Sequence, residues 1–215
     1  MNNFVFPRIS RVNKLNGMKA TMRFRQAEKG FSAIELMIVV TIALAVTAMA
    51  VVAFQPALKD AQNDAAMRET MDAIRQARQY AITYRRYVQL TFSTASPSTI
   101  TATQRNSLTI TGASDTVLFT IAIPTTTGFY LSSTTPDTPD AFGHCAAICV
   151  EGTSGGPAFM YFQSDGEFVD GTYTSMNGSL FLGVSGQPTT YRAVTILGST
   201  GRVREWKYGS AWTQQ

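Results

Sequence analysis

One carboxylate stands apart from the other titratable residues of this sequence, because it lies at the start of an apolar stretch. Glu35 precedes the run from Leu36 to Phe54, in which no residue is charged. A charge at membrane depth costs about 2.5–3.5 kcal/mol on insertion scales, and such residues are usually paired or functional. About 20 apolar residues suffice to cross a bilayer. We therefore expect a membrane-spanning helix whose carboxylate has a specific partner; an anchor with Glu35 at the membrane interface is the simpler alternative.

The two cysteines are a second place where chemistry is expected. Cys145 and Cys149 follow His144, the only histidine of the chain. A close pair of cysteines in an oxidising compartment predicts a disulfide. A metal site that uses His144 is the alternative, but no second cluster of metal ligands accompanies it in the sequence. We expect the disulfide, and neither a metal nor a cofactor.

Motifs for catalysis and nucleotide binding are absent from the sequence. It contains no Gly-x-x-x-x-Gly-Lys loop, no Cys-x-x-Cys pair and no His-Glu-x-x-His helix. Asp165 and Glu167 flank Gly166, a spacing that suits a turn better than acid–base catalysis. We expect a protein that is not an enzyme.

The residues just before the apolar run form the most specific motif. In the segment Lys29-Gly30-Phe31-Ser32-Ala33-Ile34-Glu35, a basic residue, a glycine and a phenylalanine are followed four residues later by the lone carboxylate. This segment resembles the class III signal of type IV pilins and type II secretion pseudopilins, with Ala33 where the motif usually has a larger apolar residue. The resemblance implies that a prepilin peptidase cuts between Gly30 and Phe31 and methylates the new N-terminal Phe31.

The same resemblance implies a role for Glu35. Its carboxylate would neutralise the α-amino group of Phe31, in the same subunit or on a neighbour already in the filament. Removing one partner of a buried ion pair costs roughly 3–5 kcal/mol. The expected partners are therefore other pilin or pseudopilin subunits, with Glu35 as the residue that sets the register of assembly.

The basic character of the chain is concentrated at its N-terminus. The formal net charge is +4, but residues 1–30 hold seven of the 18 Lys and Arg residues and one of the 14 acidic residues. Residues 31–215 are therefore net negative. Lys and Arg before a first span hold that end in the cytoplasm. We expect a single-pass protein of the inner membrane with a periplasmic C-terminal head, which then enters a pilus or pseudopilus.

Four segments would position these residues. They are a cleaved basic leader (1–30), a transmembrane and filament-core helix (31–55), an amphipathic helix (56–88) and a β-rich head (89–215). Pro56 predicts a kink where the second helical segment begins. A helical stripe that is expected to pack against the head consists of Met67, Thr70, Met71, Ile74, Ala77, Ala81, Tyr84 and Val88. A second face, expected to be solvated, consists of Arg75, Arg78, Arg85 and Arg86.

After Val88 the hydrophobic period changes from helical spacing to two, which predicts strands. The candidates are a first strand through Val88, Leu90 and Phe92, then Thr99–Gln104, Ser107–Thr111, Val117–Ile123, Gly128–Leu131, Ala158–Phe162, Ser179–Val184, Thr190–Leu197 and Arg202–Tyr208. Ser132–Asp140, which contains two prolines, is expected to be an exposed loop. Without βαβ alternation the sheets should be antiparallel. The predicted fold class is α+β, with the long N-terminal helix packed on an antiparallel β head.

Motifs in the last third of the chain resemble one particular group within this family. Asp165-Gly166 after Phe162, Gly178 before a strand, Arg192-Ala-Val-Thr-Ile196 and Gly201-Arg202 resemble the head of the GspH/FimT group of minor pseudopilins and pilins. The resemblance implies a minor subunit of a type IV pilus or a type II secretion pseudopilus. The alternative that it implies is a FimT-like pilin whose Gly-Arg-x-Arg segment binds extracellular DNA during natural transformation.

The DNA alternative depends on one predicted strand near the C-terminus. Arg202, Arg204 and Trp206 would share one face, because side chains alternate along a strand. The two guanidinium groups would hold phosphates and Trp206 would stack on a base; Lys207 would lie on the opposite face. The other interpretation is an ordinary edge strand, whose charges discourage aggregation.

Overall fold

The structure is a computed structural model that describes residues 30–106, 115–152 and 159–215. The chain divides into two compact units, Met1–Thr47 and Ala48–Gln215. Helix α1 (Ala33–Tyr84) begins in the first unit and ends in the second, and every strand belongs to the second. The predicted strand Ser107–Thr111 and all of the predicted leader except Gly30 lie outside the described residues.

In the first unit, the helix begins where the sequence provides a start signal. The backbone N–H of Leu36 donates to the carbonyl of Ser32 at 3.1 Å, the first bond of the helical ladder. Ser32 and Glu35 have the spacing of a capping box. A carboxylate in the first turn also favours the positive end of the helix dipole. Glu35 therefore suits the helix start in addition to any role in assembly.

In the second unit, the helix buries the stripe that its spacing predicts. Six members of the stripe are 8% exposed or less, namely Met67, Thr70, Met71, Ile74, Ala77 and Ala81. Tyr84, by contrast, is 50% exposed, and Val88 belongs to the first strand. Pro56 lies inside the helix, which continues on both sides of it.

The helix ends four residues earlier than the predicted boundary at residue 88. Arg85 has a φ of 51°, in the left-handed region, and the N–H of Arg86 donates to the carbonyl of Ala81 at 3.2 Å. This is the hydrogen bond of a Schellman cap, which closes a helix one residue after its last turn. The first strand therefore begins directly after the cap, at Tyr87.

Two antiparallel sheets follow the helix. The first has the order β3-β2-β1-β6-β7 and the second β11-β10-β9-β8-β4, with β5 also paired to β8. The strands are β1 (Tyr87–Ser93), β2 (Thr99–Arg105), β3 (Thr116–Ala122), β4 (Gly128–Phe129), β5 (Ile148–Val150), β6 (Phe159–Phe162), β7 (Phe168–Val169), β8 (Gly178–Gly183), β9 (Arg192–Leu197), β10 (Arg202–Tyr208) and β11 (Trp212–Gln214). The predicted α+β class is confirmed: a long N-terminal helix packs on antiparallel sheets.

One hydrophobic core joins the helix to both sheets. Ile74 of the helix, Leu90 of β1 and Val194 of β9 belong to the same buried cluster and are not exposed to solvent. Burying a large aliphatic side chain contributes roughly 1.5–3 kcal/mol. The amphipathic part of the helix is therefore held by the sheets that follow it.

A separate aromatic cluster corrects the prediction that Ser132–Asp140 is an exposed loop. Thr135 and Thr138 are buried, and the indole N–H of Trp212 donates to the carbonyl of Pro136 at 2.8 Å. Trp212 belongs to a cluster with Phe181, Tyr191 and Trp206. The segment is a loop, but aromatic residues from the second sheet hold its centre.

Two turns meet the helix at a very close approach. Arg78 Nε donates to the carbonyl of Gly166 at 3.1 Å. A Cβ atom on Gly201, which has a φ of 60°, would come within 2.6 Å of that Nε and collide with the Gly166 carbonyl. The predicted solvated arginine face is therefore wrong at Arg78, which is half-buried under the turns that precede β7 and β10.

Candidate functional site

The predicted processing site lies on exposed, non-helical backbone. Gly30 and Phe31 precede the helix, and the Phe31 side chain is 76% exposed. A Cβ atom at Gly30 would meet nothing within 4 Å, so packing in this structure does not explain the glycine. An enzyme that must approach the backbone closely provides a reason, because glycine leaves the peptide unobstructed.

The helix that follows this site presents an uncovered apolar surface. Within α1, a window of 18 residues is long and apolar enough to cross a membrane, and none of it is buried. Large side chains such as Met37, Leu44 and Val46 are each more than half exposed in the first unit. Exposed apolar area of this extent marks a membrane or a protein interface. Glu35 lies at the start of this surface, in the first turn of the helix.

A buried arginine joins the helix to the second sheet, a contact that no sequence motif predicted. The Arg192 side chain is not exposed to solvent; its Nε donates to Asp64 Oδ1 at 2.6 Å and its Nη2 donates to Asp60 Oδ1. Its Nη1 donates to the carbonyls of Thr189 and Tyr191, at 2.8 and 3.0 Å. Asp60 and Asp64 are four residues apart, so both face the same side of the helix. That spacing is the signal that sequence reasoning could have used.

The same carboxylates hold one of the predicted DNA-binding residues. Lys207 Nζ donates to Asp60 Oδ2 at 2.8 Å and lies 3.6 Å from Asp64 Oδ2. Burial alone would raise the pKa of Asp60, but the hydrogen bonds and charges of Lys207 and Arg192 outweigh it and hold that pKa below its ordinary value of 3.8. Lys207 therefore points towards the helix, on the face of β10 opposite Arg204, and its charge is used within the protein.

The opposite face of β10 carries a second ion pair. Arg204 Nη1 donates to Asp140 Oδ1, and Thr195 Oγ1 donates to Asp140 Oδ2 at 2.7 Å. Arg202 and Arg204 line one small cavity with Asp140, as expected for residues on the same face of a strand. Arg202 is exposed, and the described residues contain no ion-pair partner for it. Of the four predicted DNA-binding side chains, Arg202 alone is exposed and has no carboxylate partner in the part of the chain that the structure describes.

Trp206 is placed differently from the prediction that it stacks on a base. The side chain is 6% exposed, and its indole N–H donates to Thr195 Oγ1 at 3.0 Å. Buried tryptophans usually satisfy the indole N–H in this way. Because the ring belongs to the aromatic cluster of the second sheet, it offers no free face to a nucleobase.

The two cysteines form a disulfide in the structure. Cys145 and Cys149 are linked, and the carbonyl of Ala147, between them, accepts a bond from the N–H of Phe181 at 2.7 Å. The linked loop is thereby attached to β8. His144 lies beside it, with its ring edge-on to Phe181 at a centroid distance of 5.3 Å. Within the described residues, no group of three or more metal-ligating side chains is present.

Comparisons with known proteins identify one similar solved structure. No family model and no curated protein matches the chain. The crystal structure of the type IV minor pilin FimU from Pseudomonas aeruginosa is similar over 71% of this chain and 92% of that chain, with 13% sequence identity and a TM-score of 0.43.

Proposed function

We propose that the chain is a minor pilin or pseudopilin subunit. A prepilin peptidase processes it between Gly30 and Phe31, and the mature subunit assembles with other subunits into a type IV pilus or a type II secretion pseudopilus. Before assembly it spans the inner membrane once, with its C-terminal head in the periplasm. Its role is structural rather than catalytic.

One observation carries this proposal. The helix begins with an exposed Gly30-Phe31 junction and a first-turn Glu35, and then presents an apolar window that nothing in the described chain covers. A soluble protein would bury such a surface. A membrane covers it first and the helices of neighbouring subunits cover it later, so one surface serves both stages.

The head supports this role through its attachment to the helix. Arg192 binds the helix at Asp60 and Asp64, and the turns of Gly166 and Gly201 meet it at Arg78. Between these two points, the helix residues from Ala66 to Ala77 contribute five side chains to the apolar core. A head fixed at several points along its helix can transmit the register of assembled helices to the outer surface of a filament.

The alternative of DNA binding by β10 is not favoured by this geometry. Arg204 and Lys207 are paired with Asp140 and Asp60, and Trp206 is buried. No observation on β10 beyond the exposed Arg202 supports a second function there.

The intact mass of the protein extracted from the membrane tests the proposal. We expect a chain that begins at Phe31 and carries one added methyl group. A Gly30→Leu variant should keep the leader and stay in the membrane, because the larger side chain obstructs the peptidase. A mature chain that retains residues before Phe31 would contradict the proposal.

A further inference from the structure

The turn between the helix and β1 combines aromatic and basic residues. Its sequence is Tyr84-Arg85-Arg86-Tyr87, and we call it the Tyr84–Tyr87 turn. Both arginine side chains are exposed. Two adjacent cations between two aromatic rings are suited to a ligand that is both planar and anionic.

A ladder of rings ends at this turn. The ring centroid of Phe119 lies 6.1 Å from that of Tyr80, which lies 5.6 Å from that of Tyr84. The Tyr80 and Tyr84 rings are stacked, with an angle of 13° between their planes. Because Tyr84 is 50% exposed, the ladder ends on a ring that can accept another planar group.

A second exposed tyrosine lies beside the same turn. Tyr173 is 53% exposed, and its ring lies edge-on to Tyr87 at a centroid distance of 5.4 Å. Beyond Leu58, the large hydrophobic side chains that are exposed in the described chain are Tyr84, Val117 and Tyr173. Two of these three therefore flank the two arginines, which indicates a binding surface rather than scattered exposure.

The backbone of this surface is unusual as well. Arg85 and Tyr173 have φ values of 51° and 67°, and they are two of the three non-glycine residues with positive φ in the described chain. Side chains rarely adopt this conformation; at Arg85 it belongs to the cap that closes the helix. Arg85 directly precedes Arg86, and the Tyr173 ring contacts that of Tyr87, so both residues adjoin the Tyr84–Tyr87 turn.

The charges at the turn remain available to an anion. Arg86 Nη1 donates to the neutral Asn106 Oδ1 at 2.7 Å, which holds the guanidinium without neutralising it. Two acidic residues lie beside the tyrosines of this surface: the charge of Asp165 acts on Tyr87, and the carbonyl of Asp170 accepts a bond from the N–H of Tyr173 at 3.4 Å. Asp165 accepts bonds from the Gln163 side chain and the Glu167 N–H, while Asp170 accepts bonds from Thr172 and Thr174. These two carboxylates oppose an anion, and the helix C-terminus adds a partial negative charge, so the two arginines are needed to make the surface attractive.

We propose that the Tyr84–Tyr87 turn binds single-stranded nucleic acid. A base extends the ladder on the open face of Tyr84, Tyr173 offers a second ring, and Arg85 and Arg86 contact the phosphates between. Basic residues combined with aromatic rings are the means by which single-strand binders hold their ligand without reading its sequence. The inference goes beyond the assembly role and does not depend on it.

The test is a titration of fluorescent oligothymidylate with the full chain in a neutral detergent. We expect saturable binding that falls roughly sevenfold between about 50 and 200 mM salt, as two phosphate contacts on a single strand require. Tyr84→Ala should weaken oligothymidylate binding about 5- to 150-fold, the range for loss of one stacked base. The same variant should bind inorganic polyphosphate, used as competitor, as the wild type does.

Two paired variants separate this surface from β10. Arg85→Gly with Arg86→Gln should weaken both ligands; glycine suits the positive φ, so the fold is preserved, which tryptophan fluorescence can check. Arg202→Gln with Arg204→Gln removes the same charge elsewhere and should leave binding unchanged. Equal affinity of Tyr84→Ala and wild type, no binding at about 50 mM salt, or loss confined to the β10 variant would overturn the proposal. Binding of a poly-glutamate peptide as tight as that of oligothymidylate would also overturn it and would indicate an acidic protein partner.

Discussion

Arg192 Nε lies 2.6 Å from Asp64 Oδ1, across a sequence separation of 128 residues. This bond links the helix to the second sheet, and the Arg192 side chain is entirely buried. Because a buried charge is costly unless it is paired, the positive guanidinium group needs anionic partners where it lies. The two helix carboxylates are therefore required by the fold rather than being surface acids.

Removing both carboxylates should destabilise the head strongly. Asp60→Ala with Asp64→Ala leaves Arg192 buried without an anion, a change that costs about 3–5 kcal/mol. Denaturant unfolding followed by tryptophan fluorescence reports on the head, since Trp206 and Trp212 both lie in the second sheet. Asp72→Ala is the matched control: the side chain is 74% exposed, so its effect should stay within about 0.5 kcal/mol. Equal stability of the double variant and the control would contradict this account of Arg192.

The free energy of unfolding should depend on pH through Asp60. Its pKa is lower in the folded protein than in the unfolded chain, so the contribution is fully present above the ordinary value of 3.8 and is lost as the pH falls through the folded value. Stability measured by denaturant unfolding should therefore decline on acidification below about pH 4. Asp60→Asn should be less stable than wild type at neutral pH and show a shallower decline. Parallel pH profiles for the two proteins would show that Asp60 is not the group responsible.

A methyl group at Gly201 should disturb the junction of turns and helix. Gly201→Ala places a Cβ against the Gly166 carbonyl, which is backbone and cannot move aside, and at a positive φ. We expect the free energy of unfolding to fall by roughly 2 kcal/mol or more, in the range for a steric clash combined with an unfavourable backbone conformation. Gly209→Ala is the control, since a Cβ there would meet nothing within 4 Å. A destabilisation of Gly201→Ala no larger than that of the control would contradict the close approach.

Hydrophobic periodicity and turn residues were sufficient to predict most of the helix and strands that the structure contains. The stripe from Met67 to Ala81 is buried, and most predicted strands lie within a few residues of their observed bounds. The short strands β5, β7 and β11 were missed, because two or three residues are too few to establish a period of two. The helix end was misplaced because Tyr84 and Val88 continue the helical spacing, whereas the Arg85 cap depends on a backbone conformation that arginine rarely adopts.

Candidate sites were harder to predict wherever a long-range partner decides the role of a side chain. The alternation of side chains along a strand predicts that Arg202 and Arg204 share one face, and in the structure both line the same cavity. That Asp140 pairs with Arg204, or that Trp206 is enclosed by an aromatic cluster, depends on loops far away in the sequence. No local pattern contains those contacts.

The incorporation of a Glu35 variant into filaments tests the proposed function most directly. Glu35→Gln keeps the size of the side chain and makes the start of the apolar helix less polar, so the variant should still be inserted and cut at Gly30–Phe31. It removes the charge that would neutralise the Phe31 amine, so the processed subunit should fail to assemble. The measurement is the fraction of processed subunit recovered in sheared filaments from cells that carry the assembly machinery, with Glu69→Gln, an exposed helix carboxylate, as control. We predict at least a tenfold loss for Glu35→Gln, because an unpaired buried charge costs about 3–5 kcal/mol, and normal recovery for Glu69→Gln. Recovery of Glu35→Gln at the wild-type level would contradict the account.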